Sequence, residues 1–226
     1  TRYRGHDIPD FYDHVHNVPL PANESVFECW TTAAAISQLT SRIRLGQMVG
    51  CASYRNPALL AKITSSIDVI SGGRLDWGIG AGWYQDEFEG YDRPFPSLKE
   101  RMDALEETCE LLPRLWSEPT VTYEGTWARA HETVCEPKPP RKPPILIGGS
   151  GEKRLMGIAA RHADIWNNLQ VTEGELGPKV EALHRRCADV GRDPAEITVS
   201  QQTLVAIGAP EADARGNPAP AAEGYG

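Results

Sequence analysis

Four short stretches of this 226-residue chain carry side chains or backbone suited to chemistry. Asp13-His14-Val15-His16 sets two imidazoles beside a carboxylate at the end of a strand-like segment. Such a His-x-His pair is a metal motif only when other strand ends add ligands, and His131, His162 and His184 lie in an insertion or on helices. Alternatively, a histidine oriented by Asp13 exchanges protons near neutral pH, or it is a loop residue without chemistry. Gly78-Ile79-Gly80-Ala81-Gly82-Trp83 ends an apolar run with glycine at every second position, which leaves no Cβ to hold off a planar ring or a phosphate. Ile145-Leu146-Ile147-Gly148-Gly149-Ser150-Gly151 is a second such end. It continues into Glu152-Lys153-Arg154, so free helix-start N–H groups, a hydroxyl and two cations suit a phosphate. Neither glycine run has the spacing or the acidic partner of a dinucleotide fingerprint. Met48-Val49-Gly50-Cys51 completes the set: Gly50 permits a bend, and Cys51 is either a nucleophile or, more commonly, a buried thiol.

These stretches need elements to position them. Helical spacing of Val26, Trp30, Ala33, Ala34 and Ile36 predicts a helix over 25–39, with Ser25 and Glu28 at capping-box spacing. A strand over 43–49 follows, then a helix opened by Asn56-Pro57 and closed by Gly72-Gly73. Next come the strand leading to Trp83, an aromatic and polar loop from Tyr84 to Pro96, and a long helix capped by Ser97 and Glu100 that Pro113 is expected to kink or shorten. Residues 117–144 read as an inserted hairpin, with strands at Thr120–Tyr123 and Thr126–Ala128, plus a proline-rich connector. Strand and helix then alternate again: a helix from about Gly151, a strand over 164–169, a helix over 176–190 and a strand over 197–207. The tail over 209–226, rich in Ala, Pro and Gly, is expected to be disordered. Residues 1–208 thus read as one α/β domain with a parallel sheet. Reactive residues recur at strand C-terminal ends, as in a (β/α)8 barrel, although the strands are too few to close one.

A hydrophobic share of 40% is enough for a sizeable core, and the net charge of −8 without Lys/Arg runs argues against nucleic acid and anionic membrane as partners. With no long apolar run and no signal peptide, the expected compartment is the cytoplasm. The five cysteines are scattered and suggest neither a disulfide framework nor zinc.

Arg44-Leu45-Gly46, the run from Arg55 to Lys62, the run from Asp68 to Leu75, Gly78 to Trp83, Ile147 to Gly151 and Ala160 to Asp164 together resemble the bacterial luciferase-like monooxygenase family. They are most similar to its branch that uses the deazaflavin coenzyme F420, over roughly Tyr12 to Ile207. The resemblance implies a TIM barrel of which strands two to seven are recognisable, with the coenzyme ring at the strand C-terminal ends. It assigns proton transfer to His14 and coenzyme contact to Asp13, to Met48, Val49, Gly50 and Cys51, to Gly80, Ala81 and Gly82, and to Gly148, Gly149, Ser150 and Gly151. Met48-Val49 falls where the family carries a non-proline cis peptide. The sugar-phosphate dehydrogenases of the branch carry a catalytic glutamate at the position of Trp83, which sets that reaction aside. The strands one and eight that are not recognised would leave two parallel edges bare, so a homo-oligomer is expected.

The function so implied is hydride transfer between F420 and a small organic substrate. The alternatives are an FMN-dependent monooxygenase of the same family and a non-catalytic coenzyme-binding remnant. A metal-dependent hydrolase using His14 and His16 is the remaining reading.

Overall fold

The computed structural model describes residues 10–18, 25–169 and 173–202. Its centre is a parallel sheet in the order β1 (Asp10–Phe11), β2 (Leu45–Gln47), β4 (Leu75–Gly80), β7 (Ile145–Gly148), β8 (Ile165–Asn168) and β9 (Thr198–Gln201), with β3 (Gly50–Cys51) also pairing with β4. β2 lies within the strand expected over 43–49, and β3 follows just beyond it, the two separated by a cis peptide bond between Met48 and Val49. Helices α1 (Cys29–Leu39), α2 (Pro57–Ser71), α4 (Leu98–Ser117), α5 (Arg154–His162) and α6 (Glu173–Asp189) connect the strands. Among the described residues the sheet does not close, because β1 and β9 do not pair. Their ends are nonetheless joined by one side-chain bond, from Gln202 Nε2 to the Tyr12 hydroxyl at 2.6 Å.

Every residue of β4 is buried, as expected of a parallel strand covered on both faces. By strand alternation Leu75, Trp77 and Ile79 share the face that meets the helices, where Trp77 packs edge-on against Trp116 of α4 at 5.3 Å. Asp76, Gly78 and Gly80 share the other face. At the N-terminal end Asp76 is held by the Arg44 guanidinium, with Arg141 at 3.7 Å.

Cap chemistry sets several helix ends. Asn56 accepts from the Leu59 amide at 3.1 Å, Pro57 opens α2, and Gly72 ends it at φ 72°. Arg74 then donates to the carbonyls of Ser37, Thr40 and Ile43, tying the α1–β2 connection to the start of β4. Ser97 and Glu100 form the expected capping box.

Several sequence expectations change. α1 starts at Cys29, capped by the Glu28 side chain, so Ser25 and Glu28 form no capping box; a carboxylate that accepts from both Trp30 and Thr31 amides is the better cap. Pro113 does not end α4, which runs on to Ser117. The stretch after Trp83 contains a short helix, α3 (Gln85–Gly90). The hairpin is β5 (Val121–Glu124) with β6 (Arg129–Thr133), its second strand later than expected because Glu107 of α4 binds the amides of Thr126, Trp127 and Ala128 and makes them the turn. α5 starts at Arg154, leaving Gly149–Gly151 as a free-standing loop. The expected tail over 209–226 and the strand beyond Gln202 lie outside the described residues. Among the described residues, no helix is long and apolar enough to cross a membrane.

Candidate active site

The sheet gathers the strand-end residues along one rim. Asp13, after β1, accepts from the Cys51 amide at 3.0 Å; the Cys51 thiol lies 4.0 Å from the Ala81 carbonyl after β4. The Gly149 amide donates to the Asn167 carbonyl at 3.0 Å, and the Trp166 indole donates back to the Gly149 carbonyl at 2.8 Å, linking the β7 and β8 ends. His14 stands at this rim with its ring edge-on to Trp83 at 6.0 Å and to Tyr84 at 6.4 Å. Of the aromatic residues that follow β4, Trp83 and Tyr91 are exposed, whereas Phe88 is buried.

The group that orients His14 is Glu87, not Asp13. Glu87 lies on α3, and its carboxylate takes the His14 Nδ1–H at 2.8 Å, the Tyr54 hydroxyl at 2.7 Å and the Val15 amide at 2.7 Å. Burial by itself would raise the pKa of this carboxyl, but the bonds from His14, Tyr54 and Val15 hold it below the ordinary glutamate value. An ionised carboxylate only accepts, so the His14 proton sits on Nδ1. Nε2 remains as the ring nitrogen without a bond among the described residues. Sequence reasoning missed Glu87, because Tyr84 to Pro96 carries no helical stripe that would mark one acid among several as buried.

Asp13 is committed elsewhere. Its two oxygens take a fork from Arg55 at 2.6 and 2.9 Å, and the Cys29 thiol donates at 3.1 Å. Arg55 also reaches Glu28 at 2.7 Å. Asp13 therefore locks the β1, β3 and α1 ends together. Asp13, Glu28 and Cys29 are close enough to chelate, but Arg55 already fills that role. His14 and His16 form no metal set among the described residues: His14 Nδ1 is held by Glu87 and His16 Nδ1 lies 3.0 Å from the Asn17 carbonyl. The Cys51 thiol, pushed up to about 12 by burial, is a packing group rather than a nucleophile.

The glycines have a different reason than the sequence suggested. A Cβ on Gly80 would lie 2.7 Å from one Val49 methyl, and a Cβ on Gly148 would lie 2.8 Å from the other. A Cβ on Gly78 would overlap the Gln47 carbonyl oxygen, and one on Gly82 the Cys51 sulfur. The space left by the missing side chains is thus filled by the protein itself. Val49 seats between β4 and β7, and its side chain, not bare backbone, is the floor under the rim.

Gly149 to Gly151 lie in the loop between β7 and α5. Gly149 has φ 133°, Lys153 at the start of α5 provides no side-chain cap, and the first turn of α5 contains no acidic residue. Arg154, expected to serve here, is instead paired with Asp103. Lys179 of α6 approaches the same loop, with Nζ 3.5 Å from the Ser150 carbonyl.

A family profile described as luciferase-like monooxygenase matches residues 11–224, and the chain belongs to that family. An F420-dependent hydroxymycolic acid dehydrogenase of Mycobacterium tuberculosis is 30% identical over 205 residues, covering 88% of this chain and 55% of the relative. Among solved structures, a coenzyme F420 dependent tetrahydromethanopterin reductase from Methanopyrus kandleri superposes with a TM-score of 0.79 at 21% identity, covering 92% of this chain and 60% of that one. An F420-dependent secondary alcohol dehydrogenase in complex with an F420-acetone adduct gives 0.77 at 21% identity, covering 87% and 60%. Both share the fold. The matches cover between 37% and 57% of the length of these curated relatives.

Proposed function

We propose that this chain is an oxidoreductase that passes hydride between a deazaflavin coenzyme and a neutral alcohol or carbonyl compound, with residues 1–208 acting as one luciferase-like unit. The observation that carries this reading is the His14–Glu87 pair, which fixes the imidazole with Nε2 available at a rim that also bears an uncapped anion cradle.

The residues suit such a coenzyme. Gly149, Ser150 and Gly151 with Lys179 would hold its phosphate, by amide donors, the helix dipole and an ammonium charge. The Val49 side chain would support its ring. When bound, a deazaflavin supplies a two-electron hydride acceptor or donor. His14 Nε2 takes the hydroxyl proton of an alcohol as its C–H bond gives up hydride, and in the reverse direction returns a proton to a carbonyl oxygen. Glu87 stabilises the imidazolium so formed, while the Trp83 and Tyr84 rings flank His14 edge-on. The charges of Asp13 and Glu87 are buried and paired, and the rings of Tyr12, Trp83 and Tyr84 surround His14, which favours an uncharged substrate.

The test is to titrate the purified chain into reduced F420 and, separately, reduced FMN, following coenzyme absorbance. Binding of F420, with oxidation on adding a ketone, is expected. Binding of FMN alone moves the chain to the flavin branch, and binding of neither overturns the reading.

A further inference from the structure

A cleft of about 220 Å³ is lined by Glu87 together with Val15, Tyr54, Arg55, Phe88 and Arg93. Tyr54 is the residue that joins this cleft to the proposed proton-transfer pair. Its hydroxyl donates to Glu87 Oε2, the same oxygen that takes the His14 Nδ1–H. Two donors thus compete for one carboxylate oxygen.

We propose that Tyr54 is a positioning residue for His14: by sharing Glu87 Oε2, it limits the negative charge that Glu87 offers to the imidazolium and so sets the pH range over which His14 exchanges its proton. The inference rests on the reading of His14 as the proton-transfer group.

Tyr54 is held for this task from three sides. Its amide donates to the Cys51 carbonyl at 3.1 Å, its carbonyl takes a bond from Arg93 at 2.6 Å, and its ring packs at 4.9 Å on Phe88. The hydroxyl stays protonated across the working range, because burial and the bond to Glu87 both push its ionisation upward. It therefore acts as a fixed donor.

The other titratable and charged groups around the pair are already committed. On the β1 side, Asp13 is neutralised by the fork from Arg55, and His16 Nδ1 is at its neighbour's carbonyl. On the β3 side, Cys51 is a neutral thiol. From the α3 flanks, Tyr84 meets His14 through its ring, Tyr91 reaches the Val15 carbonyl at 3.5 Å, and Arg93 is bound to the Tyr54 carbonyl. Tyr54 is therefore the one neutral side-chain donor that shares the His14 acceptor among the described residues.

The experiment uses the full chain without coenzyme and follows the ring nitrogens of His14 by 15N NMR against pH. With Tyr54→Phe, Glu87 loses one donor and holds the imidazolium more strongly, so the His14 titration midpoint rises by about one pH unit relative to wild type. With Glu87→Gln the acceptor charge is gone and the midpoint falls. A Tyr54→Phe titration that overlays the wild type while Glu87→Gln shifts it would overturn the proposal and leave Tyr54 as packing for Phe88. A fall in Tyr54→Phe would overturn it too. Because no coenzyme is present, a chain that fails to oxidise reduced F420 yet shows the upward shift would defeat the functional reading and support this one.

Discussion

The Glu87 carboxylate meets His14 Nδ1 at 2.8 Å with none of its side-chain surface exposed. Replacing it with alanine strands four donors, from the His14 ring, the Tyr54 hydroxyl and the Val15 and His16 amides, against a void. The expected cost of Glu87→Ala is about 2–4 kcal/mol in urea unfolding at neutral pH. The sign of its pH dependence follows from the carboxyl being held below its ordinary value of 4.5. A depressed folded value contributes stability that is present above the unfolded value and lost as pH falls through the folded one. The stability gap between wild type and Glu87→Gln therefore narrows as pH drops below 4.5, and a gap that stays constant into acid would show that the charge contributes nothing.

Arg55 forks onto Asp13, whose side chain is only 2% exposed, and is itself mostly covered. Arg55→Met leaves an uncompensated buried carboxylate and is expected to destabilise by about 3–5 kcal/mol. Arg55→Met combined with Asp13→Asn recovers a large part of that loss, because no buried charge is then left unpaired; Glu28, which also loses Arg55, is exposed enough to be solvated. Chemical unfolding of the three variants measures the coupling, and independent losses would contradict the geometry.

Much of this was legible in the sequence, and the failures share a cause. The order of strands, the Asn56-Pro57 start, the Gly72 stop and the Ser97–Glu100 box are local chemistry, fixed by residues within a few positions of one another. The luciferase-like motifs located Met48-Val49 and the strand-end glycines. What they could not convey was which atoms fill the glycine spaces, since Val49 meets Gly80 and Gly148 only after β3, β4 and β7 align. The partner of His14 was misassigned for the same reason: the adjacent Asp13 was the obvious candidate, while Glu87 arrives from 73 residues away.

Gly80 and Val49 make a clean pair for testing that packing. Gly80→Ala places a methyl against the Val49 isopropyl and should cost about 1–3 kcal/mol. Val49→Ala costs a cavity of its own, yet the double variant should be more stable than the sum of the two losses implies. Gly78→Ala provides the contrast, because its new methyl meets the Gln47 carbonyl and no side-chain truncation relieves it. Thermal unfolding across the four variants distinguishes a side-chain seat from general intolerance of the strand.

Cys51 is buried, with its thiol pushed up to about 12. At pH 8 almost none of it is thiolate, and access is blocked by the chain around Gly82. Iodoacetamide should label Cys51 only at the rate of unfolding, read by mass spectrometry of the peptide. Rapid labelling of the folded chain would restore the nucleophile reading.

Lys179 and Arg154 both neighbour the Gly149–Gly151 loop, but only one has a cation to offer. Arg154 is spent on Asp103, with Glu106 at 3.9 Å, whereas Lys179 Nζ lies 3.5 Å from the Ser150 carbonyl beside the uncapped start of α5. An anionic coenzyme tail seated on that loop would feel the ammonium at short range, so Lys179→Ala should weaken F420 binding about tenfold and flatten its salt dependence. Arg154→Ala removes an ion pair on the surface of α4 and should leave the affinity within about twofold, with less than about 1 kcal/mol of lost stability. Fluorescence titration of both variants at low and high salt reads the difference. Equal losses in the two would mean that the anion is drawn by the general field of α5 and α6, and the assignment of the cradle to Ser150 and Lys179 would fall.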